Sequence, residues 1–168
     1  MGDLVQADKK LSLKSDFIAA AIIVFLLAQR HAGFMLVFVM LLSLPFLIFN
    51  LFVMMKNPGR RRFLRNKILL WIVAFGCIIT WHSYLYVSSR KTANEVISLV
   101  QQYIAKNGHC PADIAVLGLS EDWLKNRLGL SHYYCKDGEP HFYYATTYLV
   151  FETEQYDFKN NVWWHRGS

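Results

Sequence analysis

The segment Lys56–Lys67, KNPGRRRFLRNK, places six basic residues and no acidic one around a Pro-Gly turn, between the apolar runs Phe34–Met55 and Ile68–Val87. Each run is about as long as the roughly 20 residues a helix needs to cross a 30 Å hydrocarbon core. Lys and Arg beside a span resist translocation, so Arg60, Arg61, Arg62, Arg65 and Lys67 mark this loop as cytoplasmic and as a contact for membrane lipid. The run that follows must then exit on the far side and carry residues 90–168 with it.

The remaining charge agrees with that reading. Residues 1–89 hold ten basic groups against Asp3, Asp8 and Asp16, whereas residues 90–168 balance eight basic against nine acidic groups. The net charge of +6 is therefore a topology signal, not the basic face of a folded domain that nucleic acid would require. No nucleic-acid partner is expected.

The expected fold class is a membrane α-helical part of two or three spans joined to a small extracytoplasmic α+β domain, with a helix packed on a three- or four-stranded antiparallel sheet. The expected organisation is a cytoplasmic tail at 1–15, a transmembrane region at 16–89 and a periplasmic domain at 90–168. Spans are placed at about 16–32, 34–55 and 68–88 around the basic loop 56–67. Phe17–Ala28, FIAAAIIVFLLA, is short for a span. It reads as a signal-peptide core, an interfacial helix, or a short crossing from Asp16 to Ala32 with Lys14 and Arg30 reaching opposite surfaces. The short crossing is preferred, because the following QRHAG lacks a small-x-small cleavage site. Gly33 is expected to supply the turn into the second span, which Pro45 should kink.

Asn50 and His82 stand out among the polar residues of the apolar runs. Asn50 is expected to make an interhelical hydrogen bond. His82, between Trp81 and Ser83, is either an intramembrane functional group or a satisfied neutral imidazole near the interface. Trp71, Trp81, Tyr84 and Tyr86 fall where an interfacial aromatic belt would place them. Cys77 reads as a small buried hydrophobe.

The second half begins with Thr92-Ala-Asn-Glu95, read as a capping box opening a helix whose apolar stripe is Val96, Ile97, Leu99, Val100, Tyr103 and Ile104. Asn107-Gly108 stops it. A second helix is expected at Glu121–Leu128, capped by Ser120 and ended by Gly129. Strands are expected at Ser131–Cys135, His141–Phe151, Gln155–Phe158 and Val162–His165, with turns at Lys136–Gly138, Glu152–Glu154 and Lys159–Asn161. Cys110 and Cys135 are expected to be joined, since an extracytoplasmic compartment permits disulfides. Closing that loop is worth about 3.5 kcal/mol in the chain-entropy account.

The run Tyr103-Ile-Ala-Lys-Asn107-Gly108-His-Cys110-Pro111, placed where a membrane helix passes into a helix and a small sheet, resembles the junction of type IV pilins and pseudopilins. The resemblance covers residues 68–168 and implies a helix lying on an antiparallel sheet. The chain lacks a Gly-Phe-Thr-Leu-Ile-Glu type processing site and has two apolar segments before the helix, so no functional residue is carried over.

No catalytic signature is present: there is no Gly-x-Ser-x-Gly, no His-Glu-x-x-His and no phosphate-binding glycine loop. His109, Cys110, His132 and Cys135 form a metal-like set, but adjacent His109 and Cys110 rarely converge on one ion and the disulfide uses the same sulfurs. Neither metal nor cofactor is expected. The aromatic load after Leu130 exceeds what one helix on a small sheet can bury, which leaves Tyr143, Tyr148, Tyr156, Trp163 and Trp164 as partner-binding candidates. The expected role is that of a bacterial inner-membrane protein binding another envelope protein. That partner is a toxin, if the chain is an immunity protein, or an assembly subunit, if it serves a pilus or secretion machine; a second copy of the chain is the further candidate. The alternative is a small integral-membrane enzyme or transporter using His82 and Asn50. A sensor role is disfavoured, since the basic loop has no room for an output domain.

Overall fold

The computed structural model describes the backbone of residues 2–148 and 151–167, with side chains from residue 14 onward. Four helices precede four strands: α1 (Gly2–Leu27), α2 (Gly33–Lys56), α3 (Arg61–Asn107), α4 (Glu121–Leu128), β1 (Ser131–Lys136), β2 (Glu139–Ala145), β3 (Thr153–Asp157) and β4 (Val162–Arg166). The contacts divide the chain into Met1–His82 and Ser83–Ser168, a boundary that falls inside α3.

In the first unit each helix buries one narrow stripe at helical spacing. The stripes are Ala20 and Leu27 on α1, Gly33, Leu36 and Asn50 on α2, and Leu64, Ala74, Ile78 and His82 on α3. Leu27, Leu36 and Ile78 meet in one cluster. Over 17–27, 34–55 and 68–82 most of the rest of each circumference is also apolar and bare: Phe25 is 74% exposed, Leu42 80% and Met55 74%. By length and composition α2 and the helix from Pro58 to Asn107 are each able to cross a membrane.

Hydroxyls in these helices turn back on their own backbone. Ser43 donates to the Met40 carbonyl at 2.9 Å and Thr80 to the Gly76 carbonyl at 2.8 Å. Asn50 does the same, donating from Nδ2 to the Phe46 carbonyl at 2.7 Å, so its hydrogen bond lies within α2 and not between helices. Cys77 is exposed, not buried.

Contacts at two levels fix the direction of α1 against α3. Near one end Lys67 pairs with Asp16 at 2.9 Å. Near the other, Trp81 Nε1 donates to the Ala28 carbonyl and His82 Nε2 bonds the Leu27 carbonyl, both at 2.8 Å. Asp16 to Leu27 and Lys67 to His82 both advance toward the C-terminus, so the two helices run parallel. At about 1.5 Å per residue the two contact levels are roughly 20 Å apart. Lys67 also lies over the Phe46 ring at 5.1 Å, which adds α2 to the same level.

Residues 2–15 are helical, since α1 begins at Gly2 and runs without a break into the apolar segment. One further expectation for this half is corrected. The turn between α1 and α2 takes its left-handed residue from His31, φ 71°, and leaves Gly33 inside α2.

In the second unit the four strands form one antiparallel sheet in the order β1-β2-β3-β4. Asp137 and Gly138, with φ of 53° and 80°, make the two-residue hairpin that closes Lys136 against Glu139. Both positive values are what a type I′ turn requires. α4 occupies Glu121–Leu128 as read from the sequence, the Ser120 hydroxyl accepting from the Trp123 amide at 3.1 Å.

The core gathers Ala93, Val96, Ile97 and Val100 of α3 with Leu124 and Leu128 of α4 and Phe142 and Tyr144 of β2. Thr92-Ala-Asn-Glu95 starts no helix: Thr92 is buried mid-helix, since nothing in Ser88-Ser-Arg-Lys91 interrupts the backbone bonds of α3. The stripe accordingly continues upstream through Ala93 to Ser89. β2 ends at Ala145 rather than at Phe151, and β3 already begins at Thr153, inside the expected turn Glu152–Glu154; the ladder stops at the Ala145–Thr153 pair, and the bond from the Thr146 amide to the Glu152 carbonyl closes the loop between the strands. Residues 149 and 150 of the expected strand lie outside the described residues.

Cys110 and Cys135 are joined, their Cα atoms 6.0 Å apart, which ties the segment after α3 to the end of β1. Beside them the Tyr133 hydroxyl donates to the Pro111 carbonyl at 3.0 Å. Burial, and secondarily Tyr103, push the Tyr133 phenol up to about 12. A phenol raised on folding contributes stability that is whole below the unfolded value of about 10 and is lost as pH rises through the folded one. Unfolding midpoints should therefore fall between about pH 10 and 12, and Tyr133→Phe should flatten that fall; an unchanged slope in the variant would contradict the assignment.

Candidate functional site

The sheet has one covered face and one open face, and strand alternation decides which side chain goes where. Across the four strands Tyr133, Phe142, Tyr156 and Trp163 stand in one register row, and Ser131, Tyr144, Glu154 and His165 in the next. Both rows face the helix. Tyr156 lies 5.1 Å from the Trp163 ring and Tyr144 5.7 Å, in edge contacts that aromatic quadrupoles favour.

α3 closes these rows with a charge. Arg90 lies over the Trp163 ring at 3.9 Å and pairs with Glu154 at 2.9 Å, while the Trp163 indole donates to Asn94 at 3.1 Å. Glu154 is 8% exposed and His165 Nδ1 lies 3.2 Å from it, with Glu152 3.5 Å from the other ring nitrogen. Burial raises the Tyr144 phenol, and neighbouring Arg90 opposes that. A buried carboxylate needs such partners, because an unpaired charge there costs several kcal/mol.

The opposite face carries His132, Tyr143, Gln155 and Trp164 in one row, with Tyr134 and His141 beside them in the next. Tyr134 stacks on His141 with centroids 4.7 Å apart and planes 16° apart, and His132 lies 5.5 Å from Tyr134 and 5.7 Å from Tyr143. The rings thus brace one another into a single patch. Trp164 extends it at 60% exposure. At its margin Asp157 accepts from the Asn160 side chain and from the Asn160 and Lys159 amides, and these bonds, with a smaller one from Trp164, hold its carboxyl below the usual range.

The five expected contact residues are therefore divided. Tyr143 and Trp164 lie on the open face. Tyr156 and Trp163 face the helix and pack on the core, a correction whose cause is the two-residue period of β3 and β4. Tyr148 lies in the loop after β2, its ring 6.4 Å from Tyr86. Sequence reasoning missed His132, Tyr134 and His141 as surface residues, although their alternation with Tyr133 and Phe142 carried the signal. It also missed Arg90 and Glu154, whose meeting across 64 residues no local pattern announces.

The other candidates are placed as follows. His82 is fully buried and its Nε2 must carry the proton, since the Leu27 carbonyl only accepts. With Trp81 it supplies donors to the carbonyls that end α1 without helical partners. Asn50 is spent on Phe46. Lys67 is held by Asp16, while Arg60, Arg61, Arg62 and Arg65 are exposed. Among the described residues no group of three or more His, Cys, Asp or Glu is arranged to hold a metal ion. Comparison with family models, curated proteins and solved structures yields no match to this chain.

The face assignment predicts unequal costs for adjacent tryptophans. Trp163→Ala should destabilise by about 3 to 5 kcal/mol, as for a core aromatic, and Trp164→Ala by about 0.5 kcal/mol or less. Urea unfolding of the solubilised chain, followed by near-ultraviolet circular dichroism, reads both. Equal losses would contradict the division of the sheet into core and open faces.

Proposed function

We propose that this chain is a bacterial inner-membrane protein whose periplasmic domain, residues 90–168, binds another envelope protein through the open face of its sheet. The observation that carries the reading is the patch of His132, Tyr134, His141 and Tyr143, whose rings contact one another, continued across Gln155 to the exposed Trp164 on the face opposite the core. Aromatic side chains give binding area at low entropy cost and dominate the energetics of protein interfaces. Neutralisation of a toxin and service as an accessory subunit of a pilus or secretion assembly both call for such a surface without catalytic groups.

The membrane part of the proposal is supported by the bare apolar circumference of α1, α2 and α3 up to His82. In water, exposed apolar area on this scale drives association, whereas in lipid it is the resting state. Spans at about 16–32, 34–55 and 68–88 with the basic loop inside follow from the positive-inside rule. The parallel course of α1 and α3 supports the same sidedness, because it gives Lys14 and Lys67 one end and Trp81 the other. The disulfide between Cys110 and Cys135 accords with an oxidising compartment.

A photo-crosslinking side chain tests the binding surface in intact cells. Placed at Tyr143 or Trp164 it should give one discrete adduct, lost when the other of the two is replaced by Ala; placed at Val116, exposed on the segment before α4, it should give none. An adduct of twice the chain mass would make the partner a second copy. No adduct from either face position, or equal adducts from Val116, would overturn the proposal.

A further inference from the structure

Between α1 and α3 lies an open groove of about 700 Å³, within the size range of small-molecule sites. Lys14, Phe17 and Ile18 line it from α1, and Asn66, Leu69 and Val73 from α3. Its polar groups are gathered at one end. Lys14 precedes Phe17 and Asn66 precedes Leu69, and because the two helices run parallel both polar residues fall at the level of the Lys67–Asp16 pair. The rest of the lining, toward the middle of the helices, is aliphatic or aromatic.

Arg62 extends the polar end. Positions 62, 66, 69 and 73 are spaced by four, three and four, so they stand on one face of α3. Arg62 and Lys14 are both exposed, and neither makes an ion pair among the described residues. Two cations with no ion pair among the described residues, and an amide, thus head a trough of apolar side chains. A free phosphate has no use for the trough, and a neutral alkyl chain none for the cations. An anionic phospholipid uses both.

We propose that this groove binds one anionic phospholipid, its phosphate taken by Lys14, Arg62 and Asn66 and one acyl chain lying along Phe17, Leu69 and Val73. The inference rests on the membrane reading given under Proposed function and adds a defined ligand to it. Charge-assisted bonds from a guanidinium and an ammonium to phosphate give the head-group preference, and the apolar walls give retention. Lipid held there also covers Phe17 and Ile18, which are 62% and 59% exposed in the bare chain.

Native mass spectrometry of the full chain in a zwitterionic detergent tests this with phosphatidylglycerol, phosphatidylcholine of the same acyl length, and glycerol 3-phosphate. Phosphatidylglycerol should be retained about tenfold more tightly than phosphatidylcholine, with glycerol 3-phosphate not retained. The double variant Lys14→Gln/Arg62→Gln, at exposed positions that carry no packing, should lose that preference. Val73→Trp, which fills the trough and leaves the cations, should weaken both lipids alike. Equal retention of the two lipids by the parent chain, an undiminished preference in the double variant, undiminished retention of both lipids by Val73→Trp, or retention of glycerol 3-phosphate as strong as that of phosphatidylglycerol would overturn the site. Extraction of membranes with alkaline carbonate separates the two levels of the argument. A chain released by carbonate defeats the membrane reading, and with it the lipid site. A chain that resists extraction yet shows no preference defeats the lipid site alone.

Discussion

A helix that is apolar on every side needs an apolar medium on every side, and three helices that cover only one stripe each cannot supply it for one another. That shortage governs the apolar stretches of α1, α2 and α3 up to His82. The polar side chains set among the apolar stretches find partners close by: Ser43, Asn50 and Thr80 return to carbonyls of their own helices, one Asp16 oxygen meets Lys67, and the carbonyls of Leu27 and Ala28 receive the His82 and Trp81 side chains. An unsatisfied backbone group in hydrocarbon costs several kcal/mol, so these bonds are conditions for α1 to end where it does. His82 in this light is a structural donor, and a role in chemistry would have to be added to that duty.

The second unit solves a different problem, that of a thin core. Fewer than 90 residues give one helix stripe, one short helix and half a sheet to bury. A covalent tie from Cys110 to Cys135 and the Arg90–Glu154–Trp163 assembly compensate from opposite ends of the sheet. Arg90 is suited to the place because its planar guanidinium can stack on the indole and still donate to a carboxylate. With the covered face so secured, the rings of the other face brace one another.

Much of this was legible in the sequence, because the features concerned are local. Run length separated α2 and the apolar part of α3 from everything else; Ser120 and Gly129 bounded α4; Asp137-Gly138 placed the first hairpin. What escaped was non-local or depended on a competition. Thr92 and Glu95 have the chemistry of a capping box, but a cap forms only where the helix stops, and α3 does not stop. Trp163 and Trp164 are identical as residues; only the pairing of Gln155 with Trp164 and of Tyr156 with Trp163 sends one outward and one inward. Gly33 was the natural choice for a tight turn, yet the left-handed position went to His31. Of the candidate site, the aromatic surplus could be read from composition, but the particular rings on the open face required the register.

The account depends on which side of the membrane each half occupies, and two glycines allow that to be measured without disturbing the fold. A side chain added at Gly59, in the basic loop, or at Gly167, after β4, meets no atom within 4 Å. With Gly59→Cys and Gly167→Cys made separately in a Cys77→Ser background, a membrane-impermeant maleimide should label the chain altered at 167 in cells whose outer membrane alone is permeabilised. It should label the chain altered at 59 only after the inner membrane is opened as well. Labelling of 59 before 167, or of both together with the inner membrane intact, would contradict the topology and leave the aromatic face on the wrong side for an envelope partner.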